Sequence, residues 1–242
     1  MYNQDQACVS HPTEGLCNTF PCTIGVKQGC LLSPLLFGLY IDALESRIAV
    51  LASDDGPDLV GTAMKLLLYA DDLVLMSKSL WGLQKQLDEL NAFCKERDLT
   101  VNVKKTKVVV FGNRMNSSPL HYDGSPIEEV ASFRYLGIEL HRSGSLKTTI
   151  EHLAIAGQRV VFALRRRCAD LKINDPAIVC QLFDALVKSV LSYGCELWVD
   201  ELATKSLEAI HRSFLKNLLG VNDTIPSRIV LAEFGRFPLI LF

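Results

Sequence analysis

The sequence contains no C-x-x-C pair, although it holds eight cysteines. Cys8, Cys17, Cys22 and Cys30 follow no zinc-ligand spacing, so the common zinc frameworks are not expected. The N-terminus has neither a charged start nor an apolar run, and no secretory signal is read there. Reduced thiols in a nuclear or cytoplasmic protein, not a secreted one, are therefore expected. Cys94, Cys168, Cys180 and Cys195 fall in segments of helical period, where a thiol packs as a small hydrophobe. No apolar run nears the roughly 20 residues of a membrane span, so no membrane partner is expected. The five histidines (His11, His121, His141, His152 and His211) are scattered. None pairs with Ser or Cys at the spacing of a nucleophile and its base, and none is assigned a catalytic role. Repeats and low-complexity segments are also lacking. So is a basic surplus: the formal net charge is −2, whereas nucleic-acid binders usually show a basic surface.

The charge is unevenly placed. Residues 1–75 hold 3 Lys/Arg against 9 Asp/Glu, and residues 76–242 hold 22 against 18. An acidic front and a basic rear suit metal binding followed by phosphate contact, and suit chance variation of solvated faces equally well. With 242 residues, 49% of them hydrophobic and 21% charged, the chain is long and apolar enough for one or two packed domains.

The periodicities give an order of elements. Residues 1–30 read as irregular, broken by Pro12, Gly15, Pro21, Gly25 and Gly29. Ser33 is placed to cap a helix with Pro34 at its first position, and Leu35, Leu36, Leu39, Tyr40, Ala43 and Leu44 form its stripe toward residue 50. After a loop at Asp54–Asp58 come two strands joined by a tight turn. Ser79 opens a second helix carrying Leu80, Leu83, Leu87, Leu90, Phe93 and Cys94 on one face, ending near Asp98. Lys107–Phe111 reads as a strand closed by Gly112, residues 113–132 as a polar loop with a small hairpin at Asp123-Gly124, and Phe133–Leu140 as one strand. Three amphipathic helices follow: one from Ser145, one from Asp175-Pro176, and one stopped by Gly220. His141–Gly144 is a candidate linker.

The tight turn carries the densest chemical signal. Tyr69-Ala70-Asp71-Asp72 lies between the apolar runs Met64–Leu68 and Leu73–Met76, which would present two carboxylates on a rigid, buried hairpin. Hard oxygen ligands in that setting suit Mg²⁺. Two such ions about 3.5–4 Å apart clamp the attacking and leaving oxygens of a phosphoryl transfer. On the residues alone the pair also fits an ordinary hairpin turn, since Asp favours turns. Gln28-Gly29 fits a backbone approach to a base or ribose, or a plain turn before a helix. Lys105 and Lys107 fit a phosphate contact or a solvated run. Arg159 and Arg166 lie two turns apart on one helix; they fit phosphate contact or a solvated face.

Taken in order, four blocks resemble the palm of a reverse transcriptase from a non-LTR (LINE-type) retrotransposon. They are Gly25–Phe37 with Gln28-Gly29, the Tyr69–Asp72 turn, Leu99–Lys107 with Asn102, Lys105, Thr106 and Lys107, and Tyr135-Leu136-Gly137. The later helices resemble that family's thumb. The resemblance implies an α+β chain. Residues 1–142 would be a partial palm, an antiparallel sheet with helices, and residues 143–242 a helical thumb and connection region. It implies Asp71 and Asp72 as catalytic metal ligands, with Lys105 contacting the triphosphate or protonating the departing pyrophosphate. Gln28, Gly29, Tyr69 and Lys107 would bind substrate, Tyr135, Leu136 and Gly137 would grip the primer, and Arg159 and Arg166 would contact nucleic acid. The expected partners are an RNA template, a DNA primer and deoxynucleoside triphosphates. Mg²⁺ (or Mn²⁺) is expected in the complete enzyme.

The family carries another metal-binding aspartate on a strand before the Gln-Gly block. Asp5 and Glu14 are the only acids ahead of Gly25, and neither lies on an apolar strand. The chain is therefore expected to be an internal piece of a larger polymerase, truncated at both ends and inactive alone. The reading from a different class is a non-catalytic nucleic-acid-binding relic that uses the basic helical half.

Overall fold

A computed structural model describes residues 6–7, 10–11, 15–16, 20–21, 25–27, 29–51, 55–112, 119–199 and 204–239. The chain is α+β. It divides into two compact units, one of Met1–Lys107 with Asn116–Glu128, the other of Val108–Met115 with Glu129–Phe242.

The first unit begins with four two-residue strands. β1 (Gln6–Ala7) pairs antiparallel with β4 (Phe20–Pro21), and β2 (Ser10–His11) with β3 (Gly15–Leu16). This corrects the expectation of an irregular start. Ladders this short fall below the length at which alternation is visible in a sequence. Helices α1 (Ser33–Ile41) and α2 (Ala43–Val50) follow. Asp42 separates them because the N–H of Glu45 bonds its carbonyl three residues back, at 3.2 Å. Pro34 sits at the helix start as expected, but Ser33 is not a cap. Its hydroxyl donates instead to the Lys27 carbonyl at 2.6 Å. The expected stripe is also revised. Ile41, Leu44 and Ile48 are buried, whereas Leu35, Leu36 and Leu39 are exposed.

A small hairpin, β5 (Asp58–Leu59) with β6 (Thr62–Ala63), leads to β7 (Leu66–Tyr69) and β8 (Asp72–Leu75). Helix α3 (Leu80–Glu96) then starts at Ser79, whose hydroxyl accepts the Gly82 N–H at 3.0 Å. Its Leu87, Leu90, Phe93 and Cys94 are buried as their spacing predicts. A side chain at residue 82 would displace Asp55, because its Cβ would lie 1.4 Å from a carboxyl oxygen of that residue. Strand β9 is only Lys107–Val108, shorter than the predicted run to Phe111. The hairpin at Asp123-Gly124 is present, joining β10 (His121–Tyr122) to β11 (Ser125–Pro126). Both turn residues have positive φ (+48° and +77°), the conformation that suits a two-residue hairpin.

In the second unit, β12 (Glu128–Glu129) lies at the boundary, and β13 (Ser132–Tyr135) pairs with β14 (Ile138–His141). The expected single strand at Phe133–Leu140 is thus a hairpin, turned by Leu136 (φ +45°) and Gly137 (φ +84°). Thr149 ties it to helix α4 (Lys147–Asp170): the Glu139 N–H donates to the Thr149 hydroxyl at 2.9 Å. Helix α5 (Pro176–Leu182) is capped by Asp175, which accepts the Ala177 N–H at 2.8 Å. It runs through a π-helical stretch (Phe183–Lys188) into α6 (Ser189–Leu191). Helices α7 (Cys195–Trp198), α8 (Lys205–Leu219) and α9 (Ser227–Glu233) complete the unit. Ile150, Phe183, Val187, Leu191, Phe214 and Leu215 centre its apolar core. Among the described residues every sheet is two-stranded, and no helix is long and apolar enough to cross a membrane.

Candidate active site

The acidic turn is built by register. β7 and β8 pair Leu66 with Leu75, Leu67 with Val74, Leu68 with Leu73 and Tyr69 with Asp72, which leaves Ala70-Asp71 as the two-residue turn. Ala70 occupies φ +53°, a left-handed conformation that a Cβ disfavours by about 1–2 kcal/mol. Asp71 therefore sits at the apex and Asp72 opposite Tyr69, the two carboxylates adjacent in the chain. Both acids are exposed, as is Tyr69. This corrects the buried scaffold expected from the flanking apolar runs. Leu67 and Leu68 are themselves 39% exposed, because no third strand covers this hairpin among the described residues.

The base of the hairpin is held by two side chains that sequence reasoning missed. Lys65 is buried, and its ammonium donates to the carbonyls of Ala49, at 2.9 Å, and Leu51. It thereby satisfies orphan carbonyls at the end of α2, with the charge sign that a helix C-terminus favours. Gln86 is buried in α3 and donates to the Met76 carbonyl at 3.0 Å. One strand is thus clamped to α2 and the other to α3, and the free tip carries the acids. A lysine inside an apolar run was the available signal for the first clamp. Its partners lie 14 and 16 residues away, so spacing could not name them.

The lysine block forms a side-chain-organised turn. The carbonyl of Asn102 accepts the N–H groups of Lys105 and Thr106, both at 3.0 Å, and the Thr106 hydroxyl at 3.0 Å. Its side-chain oxygen takes the Lys105 N–H as well, at 3.2 Å. Asn at this position is thereby explained by its side-chain bond to the backbone three residues on, which reinforces the turn. Lys105 is exposed. Lys107 is half-buried and pairs with Glu128 at 2.5 Å. The same loop lines a cleft of about 250 Å³ with Cys94, Lys95, Tyr122 and Asp123. Burial pushes the Tyr122 phenol and the Cys94 thiol up, and the two groups are hydrogen-bonded. Lys95 and Asn91 hold the Asp123 carboxyl below the usual range.

Gly29 is exposed, with φ +81° and open space beside it. Gln28 lies outside the described residues. In the second unit, Leu136 and Gly137 form the hairpin turn, and Tyr135 is half-buried beside it. Arg159 and Arg166 are exposed on α4.

Asp71 and Asp72 supply hard oxygen ligands of the kind Mg²⁺ takes. No group of three or more His, Cys, Asp or Glu side chains among the described residues gathers around a common point. The fit is therefore partial. One segment provides two ligands, whereas a two-metal site draws on more than one segment.

Residues 6–140 match the family model for reverse transcriptase (RNA-dependent DNA polymerase). Over 170 residues the chain is 30% identical to a transposon-derived protein of Caenorhabditis elegans, covering 68% of this chain and 60% of that one. It is 25% identical over 185 residues to the RNA-directed DNA polymerase from the mobile element jockey of Drosophila melanogaster, covering 74% of this chain and 20% of that protein. It is 30% identical over 189 residues to the retrovirus-related Pol polyprotein from the type-2 retrotransposable element R2DM of the same fly, covering 74% and 18%. The chain thus spans 60% of the first relative and a fifth or less of the other two.

Proposed function

Because the chain belongs to the reverse transcriptase (RNA-dependent DNA polymerase) family, as carried by non-LTR retrotransposons, we propose that it is the palm and thumb portion of an RNA-directed DNA polymerase. Residues 1–142 serve as partial palm and residues 143–242 as thumb and connection. The observation that carries the reading is the acidic hairpin, whose clamped base and free tip present Asp71 and Asp72 to solvent inside the matched segment. In the assembled polymerase these carboxylates would hold Mg²⁺, which would supply charge neutralisation at the phosphates and acidify the primer 3′-hydroxyl. Lys105, exposed on the Asn102 turn, contacts the triphosphate. Gly29 lets backbone approach the incoming nucleotide, and Gln28 and Tyr69 border it. Lys107 reaches the substrate by exchanging its Glu128 partner.

On this reading the 242-residue chain alone is expected not to extend a primer, because the acidic hairpin is one segment and a two-metal site draws on more than one. The test is Mg²⁺-dependent extension of a DNA primer on an RNA template by the purified chain. No incorporation is expected. Incorporation abolished by Asp71→Asn would overturn the inactivity and leave the metal assignment standing.

Binding without chemistry is a second reading, favoured by the exposed guanidinium groups of Arg159 and Arg166. It requires salt-dependent RNA affinity that survives Asp71→Asn and weakens in Arg166→Ala. Loss in both variants, or in neither, refutes it.

A further inference from the structure

The turn at Leu136-Gly137 does not stand alone. The Tyr193 hydroxyl donates to the Leu136 carbonyl at 2.7 Å, across 57 residues of chain. The same ring packs on Gly137, where a Cβ would lie 3.1 Å from Cε1. The adjacent Gly194, at φ +64°, packs on Ile138, and a Cβ there would lie 2.8 Å from its Cδ1. Tyr193 is itself fixed: its carbonyl accepts the Trp198 indole N–H at 3.0 Å, and Trp198 is buried. Leu136 holds φ +45° with a full side chain, a conformation that surrounding contacts must enforce. Leu136 and Tyr193 remain partly exposed, so the contact lies at the surface, where a strand of nucleic acid can reach it.

We propose that Tyr193 is a positioning residue for the primer strand, holding the Leu136-Gly137 turn in the form that meets the primer end. The inference rests on the reading of that turn as the primer grip. Tyr193 touches no reacting atom. It acts through the hairpin, using one hydrogen bond to its strained residue and ring contact with its glycine. Ring and hydroxyl are separable. Tyr193→Phe keeps the packing on Gly137 and removes only the bond to Leu136.

The test uses the 242-residue chain and an RNA–DNA primer–template whose primer ends in a photoactivatable 4-thiothymidine. In the wild-type chain the primer end crosslinks within residues 132–141. In Tyr193→Phe, amide exchange at the turn speeds up by about fivefold, the weight of one neutral hydrogen bond. The crosslink yield falls with it and duplex affinity stays unchanged, while the thermal midpoint drops only by the few degrees that one hydrogen bond accounts for. A purely structural tyrosine would lower the midpoint in the same way and leave the crosslink yield unchanged. Unchanged exchange, or an unchanged crosslink, in Tyr193→Phe overturns the proposal and leaves the primer-grip reading intact. Absence of the wild-type crosslink, with exchange still accelerated in the variant, overturns the primer-grip reading and the proposal's functional claim with it, while the Tyr193 contact itself stands.

Discussion

Gly157→Ala should destabilise the helical unit even though alanine is the better helix former. Gly157 is buried on α4, and a Cβ there would lie 2.3 Å from Cδ2 and 3.1 Å from Cγ of Leu191. Carbon atoms rest at about 3.5–4.0 Å, so one side must shift by more than about an ångström. Leu191 is 2% exposed and has no solvent to swing into. Helix propensity favours alanine by about 1 kcal/mol, and overpacking costs about 1–3 kcal/mol, for a net loss of up to about 2 kcal/mol. The assay is urea unfolding followed by the fluorescence of Trp198, which is buried in this unit, in a background where exposed Trp81 is replaced by Phe. Leu191→Ala alone should cost about 2–5 kcal/mol. In that background Gly157→Ala should become stabilising, giving a coupling of about 1–3 kcal/mol. A stabilising Gly157→Ala in the otherwise intact chain would refute this reasoning.

Two further outcomes follow from the first unit. Lys65→Met keeps the aliphatic stem but leaves the Ala49 and Leu51 carbonyls unpaired, so the chain should lose about 2–3 kcal/mol; hydrogen exchange should rise across Leu66–Tyr69 before the rest of the unit, and uniform exchange would contradict the clamp. The Asp123 carboxyl, held low by Lys95 and Asn91, contributes stability above the ordinary carboxylate range that is lost as pH falls through its lowered folded value. Its titration, read by NMR, should move up in Lys95→Met, and no movement would remove the ion pair from the account.

The acidic hairpin was legible in the sequence because two apolar runs flank a two-residue turn, a pattern few other elements share. Helix α3 was legible from Ser79, α5 from Asp175-Pro176, and the end of α8 from Gly220, which is in the left-handed conformation. Each of these signals is local. The Leu136-Gly137 turn was hidden because its flanks read as one continuous strand, and only the glycine inside it hinted at a break. The Lys65 and Tyr193 contacts were illegible for another reason, since their partners are backbone carbonyls brought close by folding. Exposure of the α1 leucines and of Leu67 and Leu68 also escaped the sequence, which marks residues as apolar without saying what covers them.

The most direct test of the account is Mn²⁺ titration of the isotope-labelled chain followed by NMR. Paramagnetic broadening confined at first to Tyr69–Asp72, and removed by Asp71→Asn with Asp72→Asn, is the predicted result. Broadening that begins elsewhere and persists in the double variant would contradict the assignment of this hairpin as the metal-holding element of a polymerase.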